Sequence, residues 1–447
     1  MPLPTGAGDR ARGNCNFSLG KIHFAFFQGK GAAERTPAFP KRTSGLLRIF
    51  LAETARKRTY REGFVGESLG FYRLGTLQTR DFCAIIDVGM TRCSYPNDGK
   101  RKCVRYALLV KPHANARYTQ SLRKLAIAEL QCLLAAWDVP AEPSWTEIAG
   151  TSFLTFEAEE LSPLAWQTVS GHSAICFAAV REGIFLRPVP LAKRKYLPDD
   201  LPEVLKYKGK TNSDFTSMMI HCACAVSDFA RDPGPLTLLD PLCGRGTTLF
   251  CALEAGHHGI GVDLDAKAVA EADVYFSRYL QYHHIKHERQ RANATLGQGR
   301  NAPEFRYTLA NTPESYRRGE CRTLRLFAGD TREADRMAGK ESCHLLLADL
   351  PYGVQHAPRA GKAISSLQEF LSEALPAYYA ALKAGGAIAL SFNIYTLPRS
   401  EIAHMMQNAG FKVQTHPPYH DFSHWVEQAV NRDFVVARKE RPTTTHR

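Results

Sequence analysis

Residues 238–248 read LLDPLCGRGTT: an apolar strand ends in Asp240, a turn carries Gly244 and Gly246, and a helix follows. Glycines at such a turn let the backbone approach a ligand closely and free the φ angle that the turn requires. A second acid, Asp263, ends the next apolar strand, at the position where a carboxylate accepts hydrogen bonds from ribose hydroxyls. The stretch therefore predicts a nucleoside-binding turn, with a purely structural turn capped by an aspartate as the alternative.

The glycine spacing and the acid distinguish between two classes of nucleotide cofactor. A dinucleotide site requires G-x-G-x-x-G with a pyrophosphate at the amino terminus of the helix, but Leu249 stands where the third glycine would be. The carboxylate of Asp240 would repel a pyrophosphate and attract a ligand that carries an ammonium group. S-adenosyl-L-methionine carries both an ammonium and a sulfonium, so we interpret the turn as a site for this cofactor.

Around this turn, residues 211–440 alternate between helices and short apolar strands. Strands that are apolar throughout are typical of a parallel sheet covered by helices on both faces. The pattern predicts a Rossmann-like α/β domain, with a first helix over Phe215–Asp228. Its strands are expected at Leu236–Leu239, Gly259–Val262, Leu324–Phe327, His344–Ala348, Ala387–Ser391, Phe411–Val413 and Asp433–Ala437. Residues 286–322 are basic and poor in aliphatic side chains, so we expect an insertion there, either a disordered loop or a loop that reaches substrate.

Three segments are predicted before residue 211. Residues 1–55 predict an irregular basic leader that is solvated, touches RNA or acts as a targeting segment. Residues 60–190 predict a smaller α+β domain, and residues 191–210 a basic linker with Pro198 and Pro202. The elements expected in the smaller domain are strands Phe82–Val88, Arg105–Val110 and Thr151–Glu157 and a helix, Leu122–Asp138, with Glu129 on its polar side. Leu161–Val169 and Ile184–Leu186 continue this α+β alternation.

Composition and charge exclude several classes of protein. With 44% hydrophobic and 23% charged residues, the chain is not composed like a disordered or fibrous protein. No apolar run approaches the roughly 18 residues of a membrane span. The 12 cysteines in 447 residues suit a reducing, cytoplasmic environment, where we expect the protein to act. A formal net charge of +13 favours polyanionic partners, although a solvated basic surface is the alternative.

A second polar turn follows the strand ending at Ala348 and reads Asp349-Leu350-Pro351-Tyr352-Gly353. Together with the Asp240 turn, it resembles the class I methyltransferases that methylate exocyclic amines of nucleobases, whose fourth strand ends in Asp/Asn-Pro-Pro-Tyr/Phe. Leu350 replaces the first of these prolines, and such a variant followed by glycine is similar to the THUMP-associated tRNA guanosine-N2 methyltransferases. Further segments that carry the resemblance are Tyr207-Lys208-Gly209-Lys210-Thr211-Asn212, Gly329-Asp330, and Gln428 with Asn431-Arg432-Asp433-Phe434-Val435-Val436.

The resemblance implies a fold, an activity and a set of site residues. It implies a seven-stranded, mostly parallel sheet and an S-adenosylmethionine-dependent RNA methyltransferase that acts on guanine N2 in tRNA, without a metal. The residues expected to contact the cofactor are Thr211, Asp240, Cys243, Gly244, Gly246, Thr247, Asp263, Leu264, Asp330 and Asp349. The expected catalytic residues are Asp349, Leu350, Pro351 and Tyr352.

The chemistry of an exocyclic base amine explains the residue types of the second turn. Such an amine is a poor nucleophile because its lone pair is delocalised into the ring. Asp349 and the carbonyl of Leu350 would accept its two N–H bonds, localise the lone pair and aim it at the methyl group. Pro351 would stiffen the turn, and Tyr352 would offer a ring on which an extruded base stacks.

Two other functions stay open from the sequence. The turn does not separate guanine N2 from adenine N6, so an rRNA or DNA amino-methyltransferase is one alternative. The other is a non-catalytic nucleic-acid-binding protein that retained the fold. In either enzymatic case we expect residues 60–190 and the linker to recognise the body of the nucleic acid, while the second turn handles one extruded base.

Overall fold

The computed structural model describes residues 103–112, 116–207, 209–297, 299–351 and 367–442. All of these residues belong to one compact unit. The predicted leader, the strand predicted over Phe82–Val88 and the side chain of Tyr352 lie outside the described residues. The predicted domain boundaries stay predictions.

The amino-terminal part of this unit is a five-stranded antiparallel sheet with the strand order β2-β3-β1-β4-β5. Its elements are β1 (Cys103–Val110), α1 (Ala116–Ala135), β2 (Ser144–Ile148), β3 (Thr151–Glu159), α2 (Pro163–Ser170), β4 (Ile175–Glu182) and β5 (Phe185–Pro188). Alternation along the strands places Tyr106 and Leu108 opposite Phe156 and Leu154, and these four side chains are buried on one face. That face packs with α1 and α2 in a separate hydrophobic cluster.

The second sheet contains ten strands. Its first elements are α3 (Leu201–Val204), α4 (Ser213–Val226), β6 (Thr237–Asp240), α5 (Thr247–Glu254), β7 (His258–Asp263), α6 (Ala266–Tyr282), β8 (Lys286–Gly297), β9 (Arg300–Ala310) and α7 (Pro313–Arg317). The remaining elements are β10 (Arg322–Ala328), a 3-10 helix (Thr331–Glu333), α8 (Ala334–Ala338), β11 (Cys343–Asp349), α9 (Leu367–Ala381), β12 (Leu382–Asn393), α10 (Arg399–Asn408), β13 (Lys412–Val413), β14 (His424–Glu427) and β15 (Val430–Arg438). All seven strands predicted downstream of residue 211 are present.

The order of the strands places the candidate site. The sheet runs β13-β15-β12-β11-β6-β7-β10-β9-β8, with β14 paired to β15. Strands β10, β7, β6, β11 and β12 are mutually parallel, whereas β15 is antiparallel to β12. Chain order reverses between β6 and β11, and ligands of such sheets bind beyond the carboxyl ends of the strands at this reversal. The Rossmann-like prediction is confirmed, but within the described ranges the sheet has ten strands and not seven, because β8, β9 and β14 extend it.

The segment predicted as a disordered or substrate-reaching loop at 286–322 is mostly an antiparallel hairpin, β8–β9, beside β10. Charged side chains along it pair with one another: Arg306 and Arg325 both bond to the buried Glu304. Tyr307 and Leu309 meanwhile enter the main core. The sequence prediction was wrong because it treated charge as a sign of solvent exposure, whereas these charges neutralise each other.

Helices cover both faces of the large sheet, as a doubly wound fold requires. One hydrophobic cluster contains residues of α4, α5 and α6, and the opposite cluster contains residues of α8, α9 and α10. Gly261 in β7 permits the close approach of α5, because a Cβ there would lie 2.5 Å from Leu249 Cδ1 and 2.8 Å from Cys243 Sγ. Because α5 packs closely on β7, the turn that joins Asp240 to α5 is held at a fixed distance from the sheet.

Helix α1 belongs to both cores. Leu130 and Leu134 face the five-stranded sheet, whereas Leu125 and Cys132 pack with the residues of α4. Glu129, predicted on the polar side, is fully buried between the two layers, where His221 Nδ1 lies 2.7 Å from its carboxylate and Ser173 donates two hydrogen bonds. Burial raises the pKa of Glu129, but the neighbouring histidines and Ser173 outweigh it and lower the pKa to about 2. The prediction failed because α1 is covered on two sides.

Candidate active site

Three acids end neighbouring strands of the large sheet. Asp240 is the last residue of β6, Asp263 of β7 and Asp349 of β11, and these strands are adjacent at the reversal of chain order. The negative charges of Asp263 and Asp349 both raise the pKa of Asp240. Residues that are more than 100 positions apart in the sequence are thus brought to one edge of the sheet.

The glycine turn is held by main-chain contacts. Gly246 precedes α5 with φ of 89°, and Gly244 has φ of 48°, conformations that residues with a side chain rarely adopt. The N–H of Gly244 donates to Asp263 Oδ2 over 2.7 Å, and the N–H of Cys243 donates to the carbonyl of Val262 over 3.0 Å. Asp263 therefore fixes the turn as well as ending its own strand.

Asp240 is buried beneath this turn. Its Oδ1 accepts a hydrogen bond of 3.0 Å from the N–H of Leu242, while burial, Asp263 and Asp349 raise its pKa to about 7. Burial also raises the pKa of Asp263, although hydrogen bonds from Asp265 and Gly244 oppose the shift. Two carboxyls with raised pKa values at one edge of a sheet favour a cationic ligand, because a positive charge would stabilise their ionised forms.

Thr247 at the start of α5 and Tyr207 in the segment before α4 lie together at one side of the turn. The hydroxyl of Thr247 lies 2.8 Å from the hydroxyl of Tyr207, and the guanidinium carbon of Arg245 lies 4.8 Å above the Tyr207 ring. Arg245 also forms an ion pair with Glu271. Leu264 is 47% exposed beside Asp263, where an apolar side chain could contact a ligand. The predicted residues Gly244, Gly246, Thr247, Asp263 and Leu264 thus belong to this turn, the start of α5 and the end of β7, whereas the side chain of Cys243, also predicted to contact the cofactor, is buried against Gly261.

Asp330 differs from the other predicted acids. It follows β10 and caps the 3-10 helix, with its carboxylate 2.6 Å from Nη2 of Arg332 and 3.0 Å from the N–H of that residue. Burial raises the pKa of Asp330, but the hydrogen bonds from Arg332 outweigh it and lower the pKa. The structure therefore gives the Asp330 carboxylate a structural partner, which the sequence did not indicate.

Asp349 is contacted by side chains from three other parts of the chain: the segment before α4, strand β12 and strand β15. The hydroxyl of Thr211 donates to Oδ2 over 2.5 Å, and the hydroxyl of Ser391 in β12 donates to Oδ1 over 2.8 Å. Nη2 of Arg432 in β15 lies 3.9 Å from Oδ2. Thr211, predicted to contact the cofactor, thus also anchors the predicted catalytic acid. Ser391 was missed, although a lone hydroxyl at the end of an otherwise apolar strand was a usable signal.

The rest of the second turn is described up to Pro351. The N–H of Leu350 donates to the carbonyl of Ser391 over 2.8 Å, and the Leu350 side chain is buried in the core. The leucine that replaces the usual first proline is therefore accommodated as a core residue with a satisfied N–H. Tyr352, the predicted stacking ring, lies outside the described residues.

Searches for related proteins give a likeness to solved structures only. No protein-family model matches the chain, and no curated protein matches its sequence. Similar structures include TrmN from Thermus thermophilus, with 16% identity over 67% of this chain and 60% of that chain and a TM-score of 0.32. A TehB-like S-adenosylmethionine-dependent methyltransferase from Corynebacterium glutamicum has 15% identity over 47% and 84%, with a TM-score of 0.29.

A third similar structure contains a bound product. It is a 1,6-didemethyltoxoflavin-N1-methyltransferase from Burkholderia thailandensis with bound S-adenosylhomocysteine, with 17% identity over 50% of this chain and 79% of that chain and a TM-score of 0.29.

Within the described ranges, no cluster of His, Cys, Asp or Glu could hold a metal ion. No helix in the same ranges is long and apolar enough to cross a bilayer.

Proposed function

We propose that this protein is an S-adenosylmethionine-dependent RNA methyltransferase that methylates an exocyclic base amine, guanine N2 in tRNA. The proposal rests on the position of Asp240, Asp263 and Asp349, which end adjacent strands where the chain order reverses. Two hydroxyl groups donate hydrogen bonds to Asp349 there. The first two acids suit a cationic nucleoside cofactor. The third suits an amine that must be held through its N–H bonds.

The glycine turn fits the cofactor in shape and charge. A Cβ built on Gly244 would meet no atom within 4 Å, so space lies in front of this residue for a ligand. The carboxylate of Asp263 would receive ribose hydroxyls, and the buried Asp240 would face the ammonium group. When bound, S-adenosylmethionine supplies an electrophilic methyl group on its sulfonium.

Asp349 would position the nucleophile. A carboxylate has about four acceptor positions, so donors such as Thr211 and Ser391 are compatible with an N–H bond from a substrate amine. Because the carboxylate is held from two sides, it need not move when the amine binds. A group that is already in place orients the amine effectively. The amine sheds its proton readily once it carries the methyl group, so Asp349 need not be a strong base.

Most of the nucleic acid would bind outside the Asp349 turn. The net charge of +13 supports a polyanionic substrate. On the five-stranded sheet, the β4–β5 hairpin exposes Phe185 by 71%, on the same face as Arg187, which pairs with Glu182. An exposed ring beside an arginine is a sequence-tolerant platform for single-stranded bases. We therefore assign RNA recognition to residues 60–190 and the linker.

The test is a combined binding and product experiment. Calorimetry should show that the purified protein binds S-adenosylmethionine. Incubation with RNA from cells that lack the protein, followed by mass spectrometry of nucleosides, should then show methylguanosine of the N2 type. Methylation of rRNA, DNA or adenine would select the alternative substrate classes.

Matched variants separate chemistry from folding. Asp349→Ala should remove product, whereas Glu314→Ala, which changes an exposed acid of α7 outside the linker and both turns, should not. A wild-type protein that binds RNA but neither binds the cofactor nor forms product would favour the non-catalytic nucleic-acid-binding alternative.

A further inference from the structure

A second group of buried side chains lies beside Asp349, and the mechanism above does not use it. We call it the Phe215 cluster; its members are Phe215 of α4, His424 of β14 and Arg432 of β15. His424 and Arg432 are directly opposite each other in the β14–β15 pair. The Phe215 ring lies 5.0 Å from the His424 ring and 4.9 Å from the guanidinium carbon of Arg432. Because Nη2 of Arg432 is 3.9 Å from Asp349, the cluster borders the site of the target amine.

The hydrogen bonding of His424 fixes its tautomer. Nδ1 lies 3.0 Å from the carbonyl oxygen of Phe422, and a carbonyl can only accept, so Nδ1 carries the proton. Burial, together with the charges of Arg432 and Lys124, lowers the pKa of His424 to about 4, against the opposing effects of the Phe422 carbonyl and Asp349. The ring is therefore neutral at pH 7, and its Nε2 is an acceptor.

The Nε2 atom has no protein donor among the described residues. His424 is 5% exposed, and its one hydrogen bond in those ranges is the one from Nδ1. Because Nε2 is not one of the fully buried side-chain atoms that lack a partner, it is an acceptor that the donor of a ligand can reach. The cluster therefore offers one acceptor, on a ring held by Phe215 and next to the acid that would hold the target amine.

The bases differ in what flanks their exocyclic amine. In guanine, the ring atom beside the 2-amine, N1, carries a hydrogen and donates. In adenine, the 6-amine is flanked by N1 and N7, which both accept, and in cytosine the 4-amine is flanked by N3, which accepts, and by a C–H group. An acceptor beside the amine site thus complements guanine and opposes the other two bases.

We propose that Nε2 of His424 accepts the N1–H of the target guanine and makes the site select guanine N2 over the amines of adenine and cytosine. This inference rests on the proposed methyl transfer and assigns its base specificity to one residue. Phe215 and Arg432 are positioning residues that hold the imidazole ring.

The test uses one RNA with two alternative target nucleotides. At the nucleotide identified by mass spectrometry, synthetic RNA carries either guanosine or 2-aminoadenosine. The second nucleoside keeps the 2-amine, but its N1 accepts and does not donate. Wild type should methylate the guanosine RNA about 10- to 100-fold faster, because an unmatched buried polar pair is costly.

Two substitutions then assign the preference to His424. In His424→Gln the side-chain amide can accept or donate, so the preference should fall to within about threefold. His424→Phe keeps a ring beside Phe215 but has no acceptor, so the guanosine RNA should slow about tenfold or more and the preference should again vanish. His420→Gln, an exposed change four positions earlier, should behave as wild type. Unchanged cofactor affinity checks that each variant is folded.

The outcomes separate the two proposals. If wild type methylates neither RNA, the methyltransferase function fails and this inference fails with it. If wild type methylates both RNAs equally, or if both His424 variants keep the full preference for guanosine, the function stands and His424 does not read the base.

Discussion

The acids of the first turn and the acid of the second turn lie at the same edge of one sheet but are held in different ways. Asp240 accepts hydrogen bonds from the main-chain N–H of Leu242 and from the side chain of Thr248, and Asp263 accepts from the main-chain N–H groups of Gly244 and Asp265. Burial raises the pKa of each of the two acids. Asp349 is held by the side chains of Thr211 and Ser391, which come from distant parts of the chain. Contacts within residues 240–265 thus hold the first turn, where we propose that the cofactor binds, whereas side chains from distant segments orient the single carboxylate of Asp349.

Among the groups at this edge of the sheet, Asp349 should have the largest effect on methyl transfer when it is removed. In Asp349→Ala the target amine loses its acceptor, so methyl transfer should fall by about 100- to 1,000-fold, the range seen when one preorganised group is removed. Cofactor affinity should change little, because the turn of Gly244 is held by Asp263. Single-turnover assays and calorimetry measure the two effects. Near-normal turnover on RNA would show that Asp349 is not the acceptor.

Asp263→Ala should show the opposite separation. The substitution removes the carboxylate that would receive the ribose and that fixes the N–H of Gly244. A lost hydrogen bond to a charged group costs roughly 1.5–3 kcal/mol, so cofactor affinity should fall by about 10- to 150-fold. Turnover at saturating cofactor should largely recover. A variant with unchanged affinity would remove Asp263 from the cofactor site.

Asp240 should make both stability and cofactor affinity depend on pH. Its pKa of about 7 in the folded protein lies above its usual value of 3.8, so between these values the folded state holds a proton that the unfolded state has lost. The free energy of unfolding without cofactor should therefore fall as the pH rises from about 4 to 7, and cofactor affinity should rise as the carboxyl ionises.

Asp240→Asn is the control for this titration. The difference in unfolding free energy between wild type and Asp240→Asn should change with pH over that window, and the cofactor affinity of the variant should be flat. The two proteins must be compared because Glu254 titrates in the same range: burial and Asp199 raise its pKa to about 7. Its contribution is the same in both proteins and cancels in the difference. Parallel stability profiles of the two proteins would contradict the assignment.

The hydroxyls around Asp349 should have the smallest effects. Ser391→Ala and Thr211→Val each remove one hydrogen bond worth about 1 kcal/mol, so turnover should fall about fivefold in each variant. Turnover of the double variant should fall by more than the product of the two single-variant factors, because the carboxylate would no longer be held from either side. Measured kcat values test this. A change in KM for cofactor alone would place Thr211 in cofactor binding only.

Much of the large sheet could be predicted because its signals are local. The strands that become β6, β7, β10, β11 and β12 are short and apolar, and each is bounded by polar or glycine residues. The order of Asp240, Gly244 and Gly246 requires only neighbouring residues to show a ligand-binding turn. Strand β4 was missed, although it pairs with β1 in the centre of the small sheet, because Ala178, Ala179 and Arg181 dilute its apolar alternation.

The α/β class, the two polar turns and the residue types that suit a cationic cofactor and a base amine follow from the sequence alone. The folded structure is needed to show which distant groups meet at these turns: Ser391 and Thr211 on Asp349, and Phe215 beside His424 and Arg432. The reason is physical. A strand end and a glycine turn depend on neighbours in the chain, whereas the partner of a buried charge depends on which elements the sheet order makes adjacent.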